Sequence, residues 1–212
     1  LGHGGIAADA RVNITNIDSE DLEKGKIEKY FRNIQGLLVP GGFGARGIEG
    51  KIRAIKYARE KNIPFFGICL GMQLACVEFA RNLCGLKTAN STEFDKATKD
   101  SVISLLAEQH KVTNMGATMR LGAYPCHLEK DTRAFAAYKK EDLSERHRHR
   151  YEFNNQYREL LSSKGIIFSG TNVQRELVEI VEVKDHRWFV GCQFHPEFQS
   201  KPDKPHPLFR DF

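Results

Sequence analysis

Gly67-Ile68-Cys69-Leu70-Gly71 sets a thiol between two glycines. An apolar run, Ile63 to Ile68, leads into it, and a helix-permissive run follows. The flanking glycines let the chain turn sharply from strand to helix and push the central side chain outward. Hydrolases build this nucleophile elbow around serine; here it carries cysteine. The position predicts activation as well, because the N–H groups and dipole at a helix N-terminus favour a thiolate. A sulfur nucleophile needs a partner to move protons. Phe194-His195-Pro196-Glu197 follows a second apolar run. In an extended chain, residues two apart project to the same side. Glu197 is then placed to orient the imidazole of His195 while His195 faces the thiol, a Cys-His-Glu version of the catalytic triad. Acyl chemistry also needs N–H donors aimed at a developing oxyanion. Val39-Pro40-Gly41-Gly42-Phe43-Gly44 supplies a glycine loop that can turn a backbone N–H inward, and the N–H of Leu70 is the natural second donor. The loop lacks the spacing of either common phosphate-binding glycine motif, so phosphate binding is the weaker reading. Taken singly, each feature has a plainer alternative: a buried structural Cys beside turn glycines, and a surface turn at His-Pro-Glu. Cys76 and Cys84, farther along the same helix, read as core.

The elements that must hold these residues alternate. Val12 to Ile17 alternates apolar and polar, as a half-buried strand does. Ser19 to Asn33 is polar and helix-permissive. Leu37-Leu38-Val39 is a short strand stopped by Pro40-Gly41-Gly42. Ile48 to Arg59 places Ile48, Ile52, Ile55 and Ala58 on one helical stripe, with its basic residues on the solvated face. Gly71 to Leu83 is helical in period. Strand, helix, strand, helix predicts βαβ units and a parallel sheet. Thr88 to Gly122 reads as a long irregular surface loop. A helix is predicted from about Asn155 to Lys164, and strands over 166–168, 177–183 and 188–194. With no repeat and no Ser/Gly linker, residues 1–212 read as a single domain.

Composition narrows the class. The 212 residues include 32 Lys+Arg and 27 Asp+Glu, a formal charge of +5 too mild for a nucleic-acid binder. Hydrophobic residues make up 41% and charged residues 28%, which argues against disorder. No apolar run approaches the roughly 18 residues of a membrane span. The five cysteines form no C-x-x-C pair, so neither a disulfide framework nor a zinc ribbon is indicated, and their usage fits a reducing cytoplasm. No metal site is expected. The chain starts Leu1-Gly2-His3 without an initiator Met, so it is expected to be an excised piece of a longer protein.

In chain order the glycine loop, the Cys elbow and the strand-borne His-Pro-Glu resemble the class I (triad) glutamine amidotransferases. Further blocks resemble the glutaminase domains of the CTP synthase family: Ala89-Asn90-Ser91-Thr92-Glu93-Phe94, Thr118-Met119-Arg120-Leu121-Gly122, and Glu145-Arg146-His147-Arg148-His149-Arg150-Tyr151-Glu152. The resemblance runs from the first residues to His206-Pro207-Leu208-Phe209. It implies a flavodoxin-like α/β domain with a mostly parallel central sheet flanked by helices. It implies Cys69 as nucleophile, His195 as base and acid, Glu197 as its partner, and Gly42 and Leu70 as oxyanion donors. It assigns Gly42, Leu70, Gly71, Met72, Gln73, Glu93 and Arg150 to the substrate glutamine. A carboxylate such as Glu93 suits an α-ammonium, and a guanidinium such as Arg150 suits an α-carboxylate. On this reading the Arg146–Arg150 cluster belongs to the pocket for a small zwitterion. The resemblance further implies that ammonia feeds a separate synthetase domain, absent here, where ATP and Mg²⁺ drive amination of UTP to CTP. GTP is implied as an allosteric activator, with Phe43 and Arg46 as contacts, and a tetramer for the full-length enzyme. Two departures stand out: the family often reads Gly-Gly-Thr-Met-Arg-Leu-Gly, whereas here Gly116 is followed by Ala117, and the segment between Glu93 and Met119 is shorter than in many members. Two other readings stay open, a non-catalytic regulatory module and a Cys-dependent γ-glutamyl hydrolase. The intact triad argues against the first, and the Asn-Ser-Thr-Glu-Phe and Arg-His-Arg-His-Arg-Tyr blocks argue against the second.

Overall fold

A computed structural model describes residues 1–105 and 119–212. The departure at Ala117 lies outside the described residues. Three short helices open the chain: α1 (Gly2–Ala7), α2 (Asp21–Lys24) and α3 (Glu28–Phe31). Strand β1 (Leu37–Val39) passes through α4 (Ile48–Glu60) to β2 (Phe65–Ile68), which runs directly into α5 (Leu70–Asn82). Then come β3 (Ala89–Ser91), β4 (Asp100–Ser104), β5 (Arg120–Leu128), α6 (Arg133–Tyr138), β6 (Asp142–His149) and β7 (Glu152–Phe153). Helix α7 (Arg158–Ser163), strands β8 (Ile166–Asn172), β9 (Leu177–Val183) and β10 (Phe189–Cys192), and α8 (Pro207–Asp211) complete the chain.

Seven strands form the central sheet in the order β1-β2-β10-β9-β8-β5-β6, and β3-β4-β7 form a small second sheet. The expected α/β architecture is present, with helices packed on a central sheet. The expectation of a mostly parallel sheet needs correction. Within the central sheet only β1, β2 and β10 pair in parallel; from β10 through β9, β8 and β5 to β6 every pairing is antiparallel. Connection length explains the split. A parallel pair needs a crossover, which α4 supplies between β1 and β2, whereas the short links from β8 to β9 and from β9 to β10 permit only antiparallel return.

Helix α5 is buried at every position from Leu70 to Ala80. An all-round apolar helix belongs inside the fold, and this one packs on β2, β10 and α4. Glu78 on α5 is fully buried and is held by a forked pair from Arg59 of α4, Nε to Oε2 at 2.9 Å and Nη2 to Oε1 at 2.7 Å. That geometry satisfies a charge that would be costly alone. Glu182 of β9, also fully buried, accepts the backbone N–H groups of Arg133 (3.0 Å) and Ala134 (2.9 Å) and so closes the first turn of α6.

Other expectations shift. Residues 12–17 form no strand; Val12 and Ile14 lie exposed, with no neighbouring strand to pair. Residues 19–33 form two short helices rather than one, broken at Gly25. The predicted loop over 88–122 contains β3, β4 and the start of β5, with its segment 106–118 outside the described residues. The helix from Asn155 begins as a 3₁₀ turn before α7. Strand β6 was not foreseen, because its inward side carries Leu143, Glu145, His147 and His149 in place of an apolar series. Among the described residues no helix is long and apolar enough to cross a membrane.

Gly50 marks a close approach: a Cβ there would sit 1.8 Å from the carbonyl oxygen of Ser19, just ahead of α2. Gly50→Ala is therefore expected to destabilise the fold by about 1–3 kcal/mol. Urea denaturation checks this; an unchanged midpoint would refute the contact.

Candidate active site

The parallel pairing of β2 and β10 sets the site. Gly67 lies opposite Gly191 and Ile68 opposite Cys192, so both strands end at one edge. Cys69 leaves β2 and caps α5 with φ 51° and ψ −101°. A positive φ is unusual for a side-chain-bearing residue and marks a strained turn. Its N–H donates to the carbonyl of Cys192 at 2.7 Å, which ties the turn to β10. Gly67 and Gly71 are required here: a Cβ on Gly67 would meet the Gly71 carbonyl at 2.7 Å, and one on Gly71 would meet Val39 O at 2.2 Å.

His195 follows β10, and its N–H donates to Arg146 O at 2.8 Å. Its Nδ1 lies 2.6 Å from Glu197 Oε1. In place of the extended segment expected here, Pro196–Phe198 form a 3₁₀ turn, which still returns Glu197 to the imidazole. Nδ1 carries the hydrogen that the carboxylate accepts, so Nε2 presents a lone pair. That Nε2 is buried, with no hydrogen-bond partner among the described residues. Burial alone would raise the Glu197 carboxyl, but the hydrogen bond from His195 holds it below its ordinary value.

Gly41 brings the two halves together. A Cβ on Gly41 would lie 2.8 Å from His195 Cε1 and 3.5 Å from Cys69 Cβ. Thiol and imidazole therefore crowd the same point, and only glycine fits between them. The equivalent point on Gly42 lies 3.3 Å from Leu70 Cδ2, so the two expected oxyanion donors are neighbours.

Helix placement does not lower the Cys69 thiol, contrary to the sequence expectation. Burial pushes it up to about 12, while the backbone N–H of Leu70 pulls the other way by hydrogen bonding to the sulfur. The resting sulfur is therefore held as a thiol.

The residues assigned to glutamine separate into two groups. Glu93 accepts the N–H of Gly44 at 3.0 Å, so its carboxylate sits against the glycine loop. Tyr151 feels both Glu93 and Arg150, which places these two opposite charges around one phenol. Gln73 is buried, and its Nε2 donates to Tyr151 O (2.9 Å) and Gln193 Oε1 (3.1 Å). It braces the segment that follows Arg150. The Met72 side chain is fully buried, and a Cβ on Gly191 would meet it at 3.0 Å; Gly71 packs on Val39, so neither offers a side chain to a ligand. Arg146 and Arg148 point to solvent from β6, and only Arg150 of that run is half-buried near the site. This narrows the expected cationic pocket to one guanidinium. Phe43 is exposed. Arg46 is exposed and ion-paired with Glu20 (2.7 Å) and Asp18 (3.7 Å). Among the described residues no cluster of His, Cys, Asp and Glu could hold a metal.

Sequence reasoning did not single out Gly41, Gln193 or Phe198. Phe198 stacks on the His195 ring, centroids 5.0 Å apart and planes 16° apart. The doubled glycine at 41–42 and the aromatic directly after His-Pro-Glu were the available signals.

The class I glutamine amidotransferase family model matches residues 1–212, and the chain belongs to that family. Within it, the chain is similar to CTP synthases. It is 60% identical over its full length to CTP synthase of Trichlorobacter lovleyi and 61% identical to that of Carboxydothermus hydrogenoformans. It spans about two fifths of the length of these curated relatives, 40% in each case. The glutaminase domain of Trypanosoma brucei CTPS with bound acivicin superimposes with a TM-score of 0.92 at 40% identity, over 99% of this chain and 82% of that one. A glutamine amidotransferase from Methylobacillus flagellatus shares the fold at a TM-score of 0.58 and 14% identity, over 92% of this chain and 64% of that one.

Alkylation of Cys69 by iodoacetamide reports its protonation. With a raised thiol pKa the reactive thiolate grows with pH, so the rate should climb about tenfold per unit between about pH 7 and 10. A plateau already reached at neutral pH would show a preformed thiolate and overturn the raised-thiol reading.

Proposed function

We propose that this chain hydrolyses glutamine to glutamate and ammonia, and that the ammonia serves amination of UTP to CTP in a longer CTP synthase. One observation carries the reading: Cys69 and His195 meet across Gly41, with Glu197 fixed on the far side of the imidazole. The likeness to an acivicin-bound CTPS glutaminase domain supports the same conclusion.

The chemistry follows from the atoms. The Cys69 sulfur attacks the side-chain amide carbon, and its proton passes to His195 Nε2. The N–H groups of Gly42 and Leu70 hold the oxyanion. His195, now charged and stabilised by Glu197, gives the proton to the departing ammonia. A γ-glutamyl thioester remains on Cys69. Water, deprotonated by His195, attacks it and releases glutamate. Glu93 takes the α-ammonium and Arg150 the α-carboxylate, while Gln73 holds the Arg150 segment in place. ATP and Mg²⁺ act in the synthetase part of the longer enzyme, where GTP acts as activator, with Phe43 and Arg46 as its contacts here. The full-length enzyme is a cytoplasmic tetramer.

Ammonia release from glutamine tests the nucleophile. Cys69→Ala should abolish it, a loss of at least about 10⁴-fold for a covalent nucleophile. A glutamine-like electrophile should modify Cys69 and spare Cys76, Cys84, Cys126 and Cys192. Equal ammonia release in the two proteins would refute the assignment.

A further inference from the structure

Behind the site lies a set of buried charges that the proposed reaction does not use. Arg120 of β5 donates through Nη1 to Glu152 Oε1 of β7 at 3.1 Å and through Nη2 to Glu179 Oε1 of β9 at 2.7 Å. All three residues are at most 2% exposed. Arg120 is hydrogen-bonded to both carboxyl groups, and Arg175 also acts on them electrostatically, while burial disfavours a second negative charge there.

Two buried histidines of β6 supply the missing information. His149 Nδ1 lies 3.1 Å from Tyr151 O and 3.5 Å from Glu152 Oε1, both acceptors, so Nδ1 must carry the hydrogen. Its Nε2 is then a lone pair. His147 Nδ1 lies 3.0 Å from that Nε2 and must be the donor. His147 Nε2 is left as a lone pair facing Glu179 Oε2 at 3.6 Å. Among the described residues neither of these two atoms has a hydrogen-bond partner, and at 3.6 Å they stand just beyond bonding distance of each other. An ionised Glu179 would set a carboxylate oxygen against a nitrogen lone pair. A protonated Glu179 would instead aim an O–H at that lone pair, an approach that a shift of a few tenths of an ångström closes into an O–H···N hydrogen bond.

We propose that Glu179 holds a buried proton, donates it to His147 Nε2, and through His147 and His149 fixes the Tyr151 carbonyl that positions Arg150. Tyr151 O is then gripped from two sides, by His149 Nδ1–H and by Gln73 Nε2–H. Glu179, His147 and His149 are positioning residues. Their effect on substrate rests on the role of Arg150 proposed above; the location of the proton does not.

The surroundings agree with the charge count. Burial raises Glu179 and lifts Glu152 to about 8, against the opposing pull of Arg120 in both. Burial, joined by Arg120, lowers His147 and takes His149 down to about 3, so both rings stay neutral. The groups facing Glu179 are Arg120 and Cys126 of β5, His147 of β6, Glu152 of β7 and Arg175 of the turn after β8.

Histidine ¹⁵N NMR of the wild-type chain tests the wire directly. Hydrogen is expected on Nδ1 of both His147 and His149 and on neither Nε2; hydrogen on both nitrogens of His147 would overturn the proposal. Infrared difference spectra should show a protonated-carboxyl stretch that Glu179→Gln removes and Glu152→Gln leaves in place. Loss of that band in Glu152→Gln with its persistence in Glu179→Gln would move the proton to Glu152 and sink the assignment. Kinetics add a third reading. Glu179→Gln keeps a hydrogen on the atom facing His147 and should hold KM for glutamine within about threefold, whereas Glu179→Leu should raise it about tenfold or more with Cys69 alkylation by iodoacetamide unchanged. Equal KM in the Gln and Leu variants would also overturn it. If no variant releases ammonia, the hydrolysis reading fails, while the NMR and infrared results still decide where the proton resides.

Discussion

The parallel pairing of β2 with β10 is the constraint on which the site depends. It brings two strand ends, far apart in sequence, to one edge of the sheet in fixed register. Cys69 directly follows the end of β2, and His195 lies three residues beyond the end of β10. Ligand sites in α/β sheets gather at the carboxyl ends of parallel strands for this reason. The hydrogen bond from Cys69 N–H to Cys192 O makes the strained turn an extension of the sheet. Strand β1, parallel on the other flank of β2, delivers the glycine loop to the same edge. The antiparallel remainder of the sheet then serves as a wall. It carries the buried charges and the Arg150 segment.

Those buried charges are organised by the same rule throughout. Glu78 meets a forked guanidinium, Glu182 meets two helix N–H groups, and Glu152 and Glu179 share Arg120. Each is a site where an unpaired ion would cost several kcal/mol, so each fixes the relative placement of two elements more sharply than apolar contact does. At Cys69 the opposite balance holds. The dipole of α5 and the N–H of Leu70 favour a thiolate, but desolvation outweighs them. The consequence is a sulfur kept as a thiol at rest, which under the proposed mechanism becomes reactive as His195 takes its proton.

Much of this was legible in the sequence. Helices α4 and α5 and strands β2 and β9 are apolar in clear periods, and their bounds fall within a residue or two of the reading. The Cys, His and Glu of the site were marked by turn glycines and by a proline, which are local signals. What failed was non-local. Residues 12–17 alternate like a strand but find no partner, and β6 pairs on β5 although its inward side is polar. Strand direction also depends on which segment lies alongside, which is why the sheet is mixed. The steric need at Gly41 and the stacking of Phe198 on His195 exist only once β1, β2 and β10 share an edge.

Strand β6 illustrates how a polar segment locks its own pairing. Its pleat sends Glu145, His147 and His149 inward and Arg146 and Arg148 outward. A slip of one residue against β5 would exchange the two sets, placing permanently charged guanidinium groups in the interior and stranding the imidazoles in water. An apolar strand offers many nearly equivalent alignments to a folding chain; this one tolerates a single alignment. The alternating Arg-His run, which reads at first as a patch of positive charge, is a combination lock for the sheet.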